Sequence, residues 1–152
     1  MKRNGFTIPE LLVVVGILLV LWAIATVSLV RTQTTNSLDV ATDLLVSDIK
    51  SQQTKAMASE SDSPFGIFFE GAGYTLFTGD VYVLGDPGNF TVEVLSPVSL
   101  TNTNLNLSSL VFSKGSGEVL SFVSGASFSL VDGVSGEENA FGVNKYGGLT
   151  RN

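Results

Sequence analysis

Between residues 11 and 30 the chain carries no charged side chain. A stretch of about 20 apolar residues is the length a helix needs to cross ~30 Å of hydrocarbon, so this run predicts a membrane-spanning helix rather than part of a soluble core. The chain has 152 residues, room for one modest domain besides that appendage. Lys2 and Arg3 precede the run and the next cation is Arg31. That asymmetry predicts a cytoplasmic N-terminus and a remainder outside the cytoplasm.

Past residue 30 the sequence turns polar and rich in Ser, Thr, Asn and Gly. Fourteen acidic residues outweigh eight basic ones across the chain, so a nucleic-acid phosphate backbone would on average be repelled. Cysteine and histidine are both absent. Their absence removes disulfides, thiolate and imidazole metal ligands, and most routes to nucleophilic catalysis. The reading is of a structural protein, not an enzyme, with no catalytic residue, cofactor or metal.

Three readings of the N-terminal segment compete. In one, Lys2 and Arg3 open an ordinary secretory signal and Ala23-Ile24-Ala25 offers a small-x-small site, which would release a soluble product. In another, the span is an uncleaved signal anchor. In the third, the bond between Gly5 and Phe6 is cut and the apolar helix stays in the mature protein. Glu10, an acid abutting the apolar run, favours the third.

Lys2-Arg3-Asn4-Gly5, then Phe6-Thr7-Ile8-Pro9-Glu10, then Leu11-Leu12-Val13-Val14 resembles the class III signal of type IV pilins and type II secretion pseudopilins. The resemblance implies cleavage by prepilin peptidase after Gly5, N-methylation of the new terminus Phe6, and an assembly role for Glu10. It also implies partnership with other pilin or pseudopilin subunits and with an inner-membrane assembly platform. Pro9 departs from the family's usual branched aliphatic residue, which the first turn of a helix tolerates. An acid at the edge of an apolar span needs a partner. The expected one is the Phe6 amine of a neighbouring subunit, a pair worth about 4 kcal/mol at ~4 Å and an effective dielectric near 20, before desolvation.

Downstream, Leu38, Ala41, Leu45 and Ile49 recur at helical spacing with Asp39, Asp43, Asp48 and Lys50 between them, predicting an amphipathic continuation. The expected organisation is a leader at 1–5, an apolar helix at 6–30, its continuation at 31–58 and a β-rich head at 59–152. Strands are expected at 65–70, 74–78, 81–84, 90–95, 107–113, 119–123, 127–131 and 140–144, each bounded by Gly, Pro, Asn or Asp. The expected fold class is therefore α+β, a pilin-like long helix packed on an antiparallel sheet head.

Leu110-Val111-Phe112-Ser113-Lys114-Gly115 and Phe141-Gly142-Val143-Asn144-Lys145-Tyr146-Gly147-Gly148 resemble the GspH/FimT family of minor pseudopilins and pilins. Some of its members bind DNA through arginines after the last glycine turn. Here that tail holds only Arg151, and a nucleic-acid partner is not expected. Three weaker motifs read as chance or as loops: Ser47-Asp48-Ile49-Lys50, Gly71-Ala72-Gly73, and the acids Asp132, Glu137 and Glu138 as Ca²⁺ donors.

Overall fold

The computed structural model describes residues 8–152, apart from the side chains of 24–36, 102 and 103. Helix α1 spans Ile8–Met57. The chain divides into two compact units, Met1–Gln33 and Thr34–Asn152, so α1 contributes residues to both.

In the first unit every described side chain is exposed, from Ile8 at 80% to Trp22 at 71%. Among the described residues no helix is long and apolar enough to cross a membrane. This corrects the expected transmembrane helix at 6–30. It removes with it the inner-membrane location and the pilin or pseudopilin assignment. The partnerships with pilin subunits, prepilin peptidase and an assembly platform fall as well, because each depended on an anchored helix.

The second unit is α+β, with helix packed against antiparallel sheet. Leu38, Thr42, Leu45, Ile49, Gln52 and Ala56 are buried and recur every three or four residues, giving the helix one continuous inward stripe. Lys55 lies in the last turn, where a cation complements the carbonyl end of the helix dipole. The helix stops where Ser59 takes a left-handed φ of 54° and a short 3-10 turn, Glu60–Asp62, leads to Pro64.

Two four-stranded sheets follow. The first runs in the order β3-β2-β1-β5 and the second β4-β6-β7-β8, with every pairing antiparallel. The first sheet comprises β1 (Phe65–Glu70), β2 (Gly73–Thr78), β3 (Phe90–Glu93) and β5 (Ser109–Phe112). The second comprises β4 (Val98–Thr103), β6 (Ser127–Asp132), β7 (Glu138–Val143) and β8 (Leu149–Arg151). One hydrophobic cluster joins the helix stripe to both, and among the described side chains its members lie at Leu38 or beyond. Phe128 ties the sheets together, stacking on Phe69 at 5.5 Å and on Phe141 at 5.3 Å between ring centroids.

The strand expectations hold at 65–70, 74–78, 90–93, 109–112, 127–131 and 140–143. Residues 81–84 form no strand; Tyr82 instead folds back onto the sheet. Residues 119–123 reduce to a single bridge between Phe112 and Val119. Strands β4 and β8 stand where none was expected.

Candidate ligand-binding groove

Side chains alternate across β1 and β5. Phe65, Ile67 and Phe69 point to the core with Leu110 and Phe112, leaving Phe68, Ser109 and Val111 on the opposite face. That outer face is partly roofed by the segment after β2. Tyr82 stacks on Phe68 with centroids 4.1 Å apart and planes 6° from parallel, and meets Phe77 edge-on at 5.7 Å. Gly66 accommodates the Phe77 ring, for a Cβ there would lie 2.5 Å from its Cζ.

Between the roof and the sheet lies a cavity of about 590 Å³. Its floor is Phe68, Ser109 and Val111, and its walls are Asp80, Val81 and Tyr82 on one side, with Asn106, Leu107, Leu120 and Ser121 on the others. Volumes of about 300–1,000 Å³, apolar with a few polar groups, are those of small-ligand sites. Val81 and Leu107 remain 59% and 71% exposed at its mouth. Leu107, Ser108 and Ser121 all have φ near +50°. Such conformations cost on the order of 1–3 kcal/mol each and cluster at binding sites. The Ser109 hydroxyl donates to the Leu107 carbonyl at 3.1 Å, which holds this rim against β5.

The sheets are held to the helix by polar anchors. Gln53 Nε2 donates to the carbonyls of Gly117 at 3.0 Å and Tyr146 at 2.8 Å. The Tyr74 hydroxyl donates to Asp48 Oδ2 at 2.7 Å. Burial, then the Asp48 carboxylate, push the Tyr74 phenol far above its ordinary value. In the second sheet, Arg151 Nη2 donates to Asn139 Oδ1, Asn139 Nδ2 donates to Thr42 Oγ1 at 3.0 Å, and Thr42 donates to the Leu38 carbonyl at 2.7 Å. This chain satisfies two buried polar residues, Thr42 and Asn139.

Of the residues singled out in the sequence, Gly5 and Phe6 lie outside the described residues. Glu10 stands exposed in the first turn of α1. Arg151, the one cation considered for DNA contact, is engaged by Asn139 within the fold. Asp132 is fully buried, and its Oδ1 accepts from the Val134 and Ser135 amides at 2.7 and 3.2 Å, closing the β6–β7 turn. Among the described residues no group of three or more acids could hold a metal ion. Gly71-Ala72-Gly73 is the β1–β2 turn, and Gly73 is required there because a Cβ would sit 2.2 Å from the Val92 carbonyl oxygen.

No local pattern in the sequence marks this groove. Its lining comes from four separate stretches of chain, of which strand register sets only Phe68 beside Ser109 and Val111, and the nearest thing to a local signal is the aromatic pair Phe68 and Tyr82 at non-core positions. No family model, no curated protein and no solved structure gives a significant match to the chain.

Proposed function

We propose that the chain is an exported, non-enzymatic binding protein, released by ordinary signal peptidase after Ala25, that captures a small apolar or aromatic ligand in the groove on the outer face of the first sheet. Lys2 and Arg3 serve as the basic start of the signal, the apolar run as its hydrophobic region, and Ala23-Ile24-Ala25 as the small-residue site.

The observation carrying the reading is that, among the described side chains, the core cluster of the second unit draws on residues from Leu38 onward, all of them beyond a cut after Ala25. The groove supplies the activity. The stacked Phe68 and Tyr82, with Val111 and an aliphatic rim, offer burial worth about 25 cal/mol per Å² of apolar ligand surface, while Asp80, Asn106 and Ser121 offer polar contacts at the edge.

The test is titration of the secreted product with the fluorophore N-phenyl-1-naphthylamine. Saturable binding that is lost in Ser109→Trp, which would fill the floor, is the expected result. Equal binding by both proteins would remove the groove from the account.

A further inference from the structure

We propose that β3 is a self-pairing edge, joining two copies of this chain into a symmetric dimer whose first sheets become one continuous eight-stranded sheet.

The outer edge of β3 is open where the comparable edges are covered. On β5, the chain folds back so that Leu120 N donates to the Val111 carbonyl and Ser113 N to the Glu118 carbonyl, both at 2.7 Å. On β4, Leu100 N reaches the Gly71 carbonyl at 3.3 Å. Strand β8 is only three residues long. Among the described residues, none of the backbone hydrogen bonds outside the sheets reaches Thr91 or Glu93.

Those two residues hold the free groups. Gly73 faces Glu93 in the β2–β3 register, so Ala72 faces Val94, and Val94 N donates to the Ala72 carbonyl at 2.9 Å. Bonded pairs alternate along an antiparallel ladder. Val94, Val92 and Phe90 therefore spend their amides and carbonyls on β2, and Thr91 and Glu93 direct theirs outward. The Thr91 and Thr75 hydroxyls, 3.0 Å apart, fit the closer side-chain approach of a non-bonded pair.

An unpaired edge templates another strand unless charge, proline or a bulge blocks it, and the one charge on β3, Glu93, opposes a partner only where another carboxylate faces it. A two-fold axis through Val92 pairs Thr91 of one copy with Glu93 of the other, and Phe90 with Val94. The register uses both outward residues on each copy. It places Phe90, Val92 and Val94 of both copies together on the helix-side face, where Phe90 is now 65% exposed. On the opposite face every Glu93 meets a threonine. An axis through Glu93 would oppose two carboxylates, and one through Thr91 would set Val94 against Gly88. The sequence of this edge is thus complementary to itself, which selects a second copy as the occupant.

Sedimentation equilibrium and amide exchange of the secreted product test the proposal. The expected result is a monomer–dimer equilibrium in which Thr91→Glu weakens association at least tenfold. Adding Glu93→Lys to it should restore association, because each new glutamate then faces a lysine. In the unaltered protein the Thr91 and Glu93 amides should exchange at least tenfold more slowly as concentration rises through the dimer range. A monomer at all concentrations, or exchange at both amides independent of concentration, would overturn the proposal. So would protection appearing only when cell extract is added, which would assign the edge to a foreign strand.

Discussion

The two stretches of α1 contrast sharply. Residues 8–23 are almost wholly apolar and none is buried, whereas residues 37–57 are mixed in composition and bury Leu38, Leu45, Ile49 and Ala56. Apolarity all round a helix gives no direction in which to pack. An apolar stripe recurring every three or four residues does, and the sheets supply its cover. The structural weight of this chain accordingly falls on the less hydrophobic stretch.

Substitutions should divide along the same line. Leu45→Ala empties a fully buried position and is expected to cost about 2–5 kcal/mol in denaturant unfolding. Gly147→Ala comes next, at about 2–3 kcal/mol. Its φ of +77° disfavours a side chain, and a Cβ would lie 2.4 Å from Gln53 Nε2 and 2.8 Å from Phe112 Cε1, breaking the helix-to-loop anchor.

Tyr74→Phe should cost about 1–2 kcal/mol at neutral pH through loss of the Asp48 hydrogen bond. It carries a pH signature as well. Because the folded-state pKa is raised, the unfolded chain loses this proton first, so the contribution is complete below about pH 10 and declines above it. The wild-type protein should then lose stability more steeply than Tyr74→Phe between pH 10 and 12. Parallel curves would remove the buried phenol from the account. At the small end, Leu18→Ser in the exposed stretch, measured on the uncleaved chain, is expected to change unfolding of the second unit by less than about 0.5 kcal/mol. A loss comparable to that of Leu45→Ala would erase the distinction between the two stretches.

What could be read in advance follows from how local each signal is. The stripe through Leu38, Leu45 and Ile49 and the hairpin around Gly71-Ala72-Gly73 rest on spacing and turn chemistry within a few residues, and both stand in the structure. Strand β4 has no distinctive local signature, because Val98 and Leu100 alternate with Ser and Thr just after Pro97, and that pattern also describes a loop. Residues 81–84 carried a strand-like composition, yet Tyr82 finds its partner in Phe68 across the sheet rather than in a neighbouring strand. The groove depends on which residues β1 and β5 turn outward together, a fact of register with no local signature. The apolar run misled most. Its length suggested a permanent anchor, while among the described residues no helix meets the requirement for crossing a membrane.

The central claim is that the exposed apolar stretch is a signal that is discarded and the unit built on Leu38 and beyond is what functions. Intact-mass and N-terminal peptide analysis of the chain recovered from an exporting host tests it most directly. The account expects a product beginning at Thr26. A product beginning at Phe6, or one retaining Met1, would contradict it.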